Sequence, residues 1–206
     1  MSSQPENLSV ARKNERQWIE SRGGRDVTVS DHPVRGERVE FLNEPIDPST
    51  GPLTLKFYIG PGTEVGTHTH PKQTETITVN EGKICATVDG EERTLGVGDH
   101  VRVEPGISHG YENIGDDEAV LSVSMTPALA FKEFIIDEHA LGDDDYPESG
   151  VNMSYAGLVA SRHGPMIAPP IPSFLLPIVV WLLATVARLK GMKIPDEPLP
   201  RRESES

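Results

Sequence analysis

The sequence is poor in cysteine and in basic side chains, and each shortage excludes a class of protein. A single cysteine, Cys85, rules out an internal disulfide and suits a reducing cytosol. The formal net charge of −13 excludes a nucleic-acid partner, because nothing here neutralises several phosphates in a row. Residues 1–18 contain no apolar run, so we expect no secretory signal and a cytoplasmic protein. Internal repeats and a nucleotide-binding glycine loop are also absent.

The sequence instead contains short segments of alternating polar and apolar residues between Asp26 and Met125. In LTLKFYI (53–59), four apolar side chains share one face: Leu53, Leu55, Phe57 and Ile59. Further strands are predicted at 39–41, 75–79, 83–88, 100–103, 107–111 and 120–125. Turn residues separate these segments, and Asp89-Gly90 predicts a tight hairpin. The pattern predicts a mainly β fold, a sandwich or barrel.

The flanking regions have a different composition. Residues 1–24 are predicted to form a polar N-terminal extension with a short helix around Val10–Glu20, and 25–126 to form the β-domain. Residues 127–190 are predicted to form a helical appendage whose first helix carries one apolar stripe: Phe131, Phe134, Ile135 and Leu141. A charged tail follows at 191–206.

The apolar segment Ser173–Lys190 has two interpretations. With Ser173 as N-cap it predicts a helix of roughly 25 Å, short for a bilayer core of about 30 Å. The helix is nevertheless apolar on nearly every face, more than packing against one barrel requires. It either docks on the protein, on the barrel or on a second copy in a homodimer, or it associates with a membrane. Membrane association is therefore the alternative to a purely cytoplasmic location.

Three histidines and a glutamate form the candidate site. His68 and His70 project to the same side if they share a strand, and Glu75 opens the next predicted strand with Ile77 and Val79 on its face. A carboxylate on an apolar face is costly unless a cation neutralises it. His109 lies on a later apolar face. This ligand set predicts one divalent transition metal, namely iron, manganese, zinc, nickel or copper.

The spacing of these residues resembles the two motifs of the cupin superfamily. The first motif is matched by Gly62, His68, His70, Glu75 and Gly82, and the second by Gly98, Gly106, His109 and Asn113. One position departs, since Glu104 stands where the motif has proline and Pro105 follows it. The resemblance is to small single-domain cupins with a C-terminal helical extension. It implies an antiparallel double-stranded β-helix, a jelly-roll barrel, with a metal in its mouth held by His68, His70, Glu75 and His109.

The resemblance indicates the function less specifically than the fold, because the superfamily includes enzymes and binding modules. One interpretation is a metal-dependent dioxygenase or another metal-assisted enzyme acting on a small molecule. The alternative is a non-catalytic module that binds a small molecule or metal. An enzyme should have inward polar groups beyond the four ligands, and Tyr111 is the one catalytic candidate that the sequence offers. The predicted apolar neighbours Phe57, Ile107 and Met125 favour a compact substrate with one chelating end.

Overall fold

A computed structural model describes residues 16–32, 34–141, 145, 147, 151–196 and 198–202. The strands are β1 (Gln17–Arg22), β2 (Arg25–Asp31), β3 (Glu37–Phe41), β4 (Leu53–Ile59), β5 (Glu64–His68), β6 (Thr74–Glu81), β7 (Ile84–Val88), β8 (Glu91–Leu95), β9 (His100–Val103), β10 (His109–Asn113), β11 (Ala119–Thr126) and β12 (Arg201–Arg202). The helices are α1 (Phe131–Glu138), α2 (Met153–His163) and α3 (Leu176–Leu189).

The strands form two sheets that enclose a common core. The larger sheet has the order β12-β1-β2-β3-β4-β11-β6-β9, and the smaller has the order β5-β10-β7-β8. All pairings are antiparallel except that of β1 with β12. The predicted mainly β jelly-roll fold with C-terminal helices is confirmed.

Alternation of residue types explains how the sheets bury one face. In β4 every second residue is buried, from Leu53 to Ile59, while Thr54, Lys56 and Tyr58 lie between them half-buried. The neighbouring β11 follows the same rule and pairs Leu121 with Phe57. Such faces pack together because burying apolar surface contributes about 25 cal/mol per Å². β4 and β11 thus form part of the buried face of the large sheet, next to the strand that carries Glu75.

The Asp89-Gly90 hairpin prediction is confirmed. These two residues join β7 to β8, and both have positive φ, 52° and 79°. Two left-handed residues in a row match the twist of an antiparallel ribbon, and Asp and Gly tolerate that conformation best. Cys85 lies in β7 between buried Ile84 and Ala86, and it is half-buried.

The N-terminal region contains strands that the sequence pattern did not identify. Residues 17–20 of the predicted helix Val10–Glu20 are part of β1, so the helix prediction is wrong there; its first residues lie outside those described. β1 pairs with β2, and β2 continues the large sheet into β3. The cation–π contact of Arg202 with Trp18, at 4.0 Å, joins the end of the described chain to β1.

The helices extend the core at one end of the β-domain. Phe131, Phe134, Ile135 and Leu141 are all buried, as the stripe in the sequence predicts. The apolar helix α3 begins at Leu176 rather than after Ser173, because Pro172–Leu175 form a turn before it. Among the helices in the described part of the chain, none has the length and apolar character needed to cross a bilayer.

Helix α3 packs mainly on α2, at a point where a glycine allows close approach. A Cβ atom added to Gly157 of α2 would lie 2.2 Å from the Cβ atom of Leu183. The opposite face of α3 is exposed, and it is formed by large apolar side chains: Ile178, Trp181, Leu182, Val186 and Leu189. The inner face of this segment therefore docks on the protein, whereas its outer face does not.

Candidate metal centre

The four predicted ligands come together in one buried cluster. His68 ends β5, His70 follows it in the connecting loop, Glu75 lies in β6 and His109 begins β10. One ligand atom from each side chain lies within 4.8 Å of the other three. All four residues are buried, with 8% or less of their surface exposed. The set combines three imidazoles with one carboxylate, which suits a transition metal.

Backbone carbonyl groups orient all three imidazoles. The Nδ1 atom of His68 lies 2.8 Å from the carbonyl of Gly66, and that of His109 lies 2.9 Å from the carbonyl of Ile107. The Nδ1 atom of His70 lies 2.7 Å from the carbonyl of Met166, far away in the sequence. Because a carbonyl only accepts hydrogen bonds, each Nδ1 carries the proton and each Nε2 presents a lone pair. Metal-binding histidines are commonly fixed in this way.

The inward-facing atoms lack hydrogen-bond partners. Oε2 of Glu75 lies 2.8 Å from Nε2 of His109 and 3.6 Å from Nε2 of His70. Despite these distances, all three atoms are buried without a hydrogen bond among the described residues. Leaving such atoms unpaired costs about 1–3 kcal/mol each. A cation between them removes this cost, so the residues present fit a metal ion.

Burial and mutual contact also shift the pKa values of these side chains. Burial, with His109 and His70 beside it, lowers the pKa of His68 to about 4, so this imidazole is neutral at pH 7. Burial works to raise the pKa of Glu75, but His109 and His70 outweigh it and hold that pKa well below its ordinary value. Burial works to lower the pKa of His109, but Glu75 outweighs it and raises that pKa. The carboxylate is therefore ionised, as a metal ligand must be.

A small cavity of about 70 Å³ lies beside the cluster, and we call it the inner cavity. His68, His70 and Glu75 line it, as does Tyr111, whose ring packs edge-on against Phe57 at 6.1 Å. Burial, together with Glu75 and Glu37, raises the pKa of Tyr111 well above its ordinary value. Tyr111 is therefore a phenol over the whole physiological pH range.

Three further polar residues, which the sequence analysis missed, line the inner cavity: Arg35, Glu37 and His139. Arg35 lies 3.0 Å from Glu37 and 3.8 Å from Glu138. Burial raises the pKa of Glu37 to about 7, even though Arg35 works to lower it. The Oε1 atom of Glu37 is buried and has no hydrogen-bond partner within the described part of the chain. The cavity therefore holds a second carboxyl group, which exchanges protons near neutral pH.

A signal for Glu37 was present in the sequence. Glu37, Val39 and Phe41 alternate along β3 and are all buried, the same parity that identified Glu75. The predicted strand began at Val39, so its first inward residue was left out. His139 gave no comparable signal, because it follows α1 and reaches the cavity only through the docking of that helix.

The structure corrects the predicted placement of Glu75 and the histidines on strands. The sequence pattern allowed His68 and His70 to share one strand, with Glu75 opening the next. In the structure β5 ends at His68, and it belongs to the small sheet with β10. β6 belongs to the large sheet, so Glu75 meets the imidazoles across the core. His100 is exposed on β9.

The predicted apolar lining is correct in part. Phe57 lines the inner cavity, together with Leu55, Val123 and Phe131. Met125 is buried and Ile107 is half-buried, but neither is among the described residues that form the cavity wall. The pocket beside the cluster is therefore narrower and more polar than the sequence indicated.

Parts of this chain are similar to known proteins. A comparison with curated proteins gives no match. Among solved structures, an RmlC-like cupin from Shewanella frigidimarina is 24% identical, with 62% of this chain and 96% of that chain covered and a TM-score of 0.41. A predicted oxalate decarboxylase from Thermotoga maritima is 21% identical, with 57% and 98% covered and a TM-score of 0.42. Residues 55–125 match the family model described as Cupin domain. The β-domain of this chain therefore belongs to the cupin superfamily.

Proposed function

We propose that the protein is a metal-dependent cupin that acts on a small molecule bound in the inner cavity. His68, His70, Glu75 and His109 would hold one divalent transition metal. The observation that carries the proposal is the set of inward-facing Nε2 and Oε2 atoms, buried without hydrogen-bond partners among the described residues. Three Nδ1 atoms are meanwhile fixed on carbonyl groups, which sets the direction of each imidazole.

The metal, when bound, supplies a Lewis acid or, if it is iron or manganese, a redox centre. The side chains around it supply orientation and proton transfer. Glu37 is the proton acceptor that we assign to the inner cavity, because its buried Oε1 atom has no hydrogen-bond partner in the described part of the chain. Tyr111 lines the same cavity and is the hydrogen-bond donor that we assign to it, since its phenol stays protonated at neutral pH.

The number of inward polar groups favours an enzyme over a passive binding module. Beyond the ligands, the inner cavity is lined by Arg35, Glu37, Tyr111 and His139. Burying ionisable groups at one site destabilises a fold unless they are paired, and shifted pKa values are concentrated at functional sites. A module that only binds a metal has no need of Glu37 or Arg35 beside it.

A comparison of iron-loaded and zinc-loaded protein tests the proposal. We expect oxygen uptake by the iron form with small molecules that have one chelating end, such as thiols, diketones or catechols, and none by the zinc form. His109→Ala should abolish this activity, while Tyr111→Phe should slow it about tenfold to a hundredfold with the metal retained, because one hydrogen bond is lost. His100→Ala is the matched control, because that histidine is exposed on β9.

A non-catalytic binding module is the second candidate, and the small volume of the inner cavity favours it because there is little room for oxygen beside the end of a bound molecule. A space of about 70 Å³ holds roughly two groups the size of a water molecule. Inactivity of both metal forms across the panel, combined with tight binding of one of its members in calorimetry, would establish this second function.

A further inference from the structure

A larger apolar cavity lies next to the inner cavity, and we call it the vestibule. Its volume is about 340 Å³, within the range of ligand sites in proteins. One wall is the edge of β5 at Gly66 and Thr67, and the other consists of α2 and α3, through residues such as Ala156, Val179 and Leu183. The helical appendage therefore does more than cover the β-domain, because it forms a second cavity with it.

The vestibule and the inner cavity share part of their walls. Five residues line both: Arg35, Val65, His68, Ile135 and Ile167. His68 thus borders the vestibule and is also one of the four clustered ligands. A molecule in the vestibule consequently lies directly beside the candidate metal centre.

The wall of the vestibule is charged near the inner cavity and mostly apolar elsewhere. The charged side chains in the vestibule wall, Arg35 and Glu138, lie 3.8 Å apart, and Arg35 also borders the inner cavity. The remaining wall is mostly apolar, including Met153, Leu176 and Val180. The space admits roughly ten groups of the size of a water molecule. Its shape and polarity suit an apolar body with a polar end directed at His68 and Arg35.

We propose that the vestibule binds the apolar body of an amphiphilic molecule, an alkyl chain or ring system of roughly ten carbons. Its oxygen-bearing end enters the inner cavity beside His68. The placement of the polar end rests on the proposed function, whereas the binding of the apolar body does not. The substrate class is therefore longer than the compact molecule that the sequence indicated.

Calorimetric titration with decan-1-ol and decanoate, against butan-1-ol and butyrate, tests this proposal. We expect the ten-carbon probes to bind at least a hundredfold more tightly, because six more methylene groups become buried. Val179→Trp, which fills the vestibule from α3, should weaken decan-1-ol binding tenfold or more. Leu182→Trp, on the exposed face of the same helix, is the matched control and should leave binding within twofold. Ala156→Phe repeats the test from α2 if Val179→Trp does not fold.

The same titration on chelator-treated protein separates the vestibule from the metal centre. Decan-1-ol should still bind there, since the vestibule residues other than His68 are not ligands. Equal affinity for ten-carbon and four-carbon probes in both forms of the protein would overturn the vestibule proposal. Retained chain-length dependence in a protein that binds no metal would overturn the proposed function alone.

The outer face of α3 carries a second inference, on separate evidence. Phe174, Ile178, Trp181, Leu182 and Leu189 are exposed along it, Phe174 by 74% and Trp181 by 63%. Residues 149–195 contain no aspartate or glutamate, although the chain has 32 acidic residues in all. The same stretch contains four cations: Arg162, Arg188, Lys190 and Lys193. Exposed apolar side chains thus coincide with the region of the chain from which acidic residues are absent.

We infer that this face binds the surface of an anionic lipid bilayer, with α3 lying in the plane of the interface. An apolar helix face with tryptophan, leucine and phenylalanine enters the acyl boundary, and nearby cations attract anionic headgroups. Arg188, Lys190 and Lys193 are exposed at the end of the helix, in position for headgroups. A second copy of the chain fits less well, because α3 carries no aspartate or glutamate that could pair with Arg188, Lys190 and Lys193 across a contact between two such helices.

Co-sedimentation with vesicles tests this inference. The full chain should bind vesicles of phosphatidylserine and phosphatidylcholine at least tenfold better than pure phosphatidylcholine, and added salt should weaken the binding. The double variant Ile178→Glu/Trp181→Glu should abolish binding. Val97→Glu, at an exposed apolar residue of the β-domain, should not. Absence of vesicle binding, or a dimer in analytical ultracentrifugation that the double variant dissociates, would overturn the inference.

Discussion

The Nδ1 atom of His70 lies 2.7 Å from the backbone carbonyl of Met166, so the C-terminal segment orients a candidate metal ligand of the β-domain. Two backbone hydrogen bonds between Thr69 and Ala168, of 2.8 and 3.0 Å, hold the segment against the loop after β5. The helical appendage and the candidate metal centre are therefore one structural unit. Their separation in the sequence conceals this connection.

Deletion of residues 164–206 is expected to lower metal affinity although all four ligands remain. Loss of a partner that orients a metal-binding histidine typically costs tenfold to a hundredfold in affinity. Competition with a chelator of known affinity measures the effect. The control is a chain ending after Lys190, which keeps Met166 and should bind metal as the full chain does. Equal affinity in both truncated chains would contradict a role for Met166.

Substitution of the ligands is expected to remove the metal itself. We expect about one divalent transition metal per chain in protein purified without chelators, and loss of it in His68→Ala and in Glu75→Ala. His100→Ala, on exposed β9, should keep it. Elemental analysis gives the stoichiometry, and full occupancy in His68→Ala would refute the ligand assignment.

Metal binding is also expected to stabilise the fold. A ligand that binds only the folded state adds about 2.7 kcal/mol to the free energy of unfolding at a hundredfold excess over Kd. Denaturant titration of metal-loaded and chelator-treated protein should show this difference in the wild type. It should disappear in Glu75→Ala, because the carboxylate that neutralises the ion is gone.

Local alternation of residues was enough to predict much of the fold and of the site. β4 follows the period of two throughout, and β11 does so from Leu121 onward, so Leu53 and Phe57 were placed inward correctly. His109 was found from parity and spacing, and Glu75 was also placed inward. The arrangement of the four ligands in space depends on β5 and β6 lying in different sheets, which no local pattern specifies.

Features that depend on docking could not be predicted in this way. His139 follows α1 and reaches the inner cavity only through the docking of that helix, and the vestibule exists only where α2 and α3 meet β5. Each of these contacts joins residues far apart in sequence. Glu37 was a different case, because its parity was visible and only the predicted boundary of β3 hid it.

Glu37 is expected to make stability fall as pH rises. Its pKa is about 7 in the folded chain, above the ordinary 4.5, so the folded state holds a proton that the unfolded state has lost. The stabilisation is complete below pH 4.5 and is lost as pH rises through 7, by about 3 kcal/mol. Glu37→Gln should remove this part of the pH dependence.

Chemical denaturation at several pH values measures that effect as a difference between wild type and Glu37→Gln. The difference is needed because His139, whose burial lowers its pKa to about 3, contributes stability with the opposite slope. That stability is present above pH 6.5 and is lost as pH falls, and it is common to both proteins. Parallel profiles from pH 4 to 8 would show that folding does not raise the pKa of Glu37.

Gly157→Ala is expected to destabilise the protein although alanine favours helices. On propensity alone the substitution in α2 would gain about 1 kcal/mol. The added Cβ atom would lie 2.2 Å from Cβ of Leu183 and 3.1 Å from the backbone nitrogen of Ala184, so α3 would have to move. Overpacking of this kind costs about 1–3 kcal/mol or more, and the backbone contact leaves little room for relief. Thermal unfolding should therefore show a lower Tm, with Ser154→Ala in the same helix as a control that stays within about 0.5 kcal/mol of wild type.

Gly157→Ala should also weaken decan-1-ol binding, because α2 and α3 form one wall of the vestibule. Unchanged stability together with unchanged binding would contradict the close packing of the two helices.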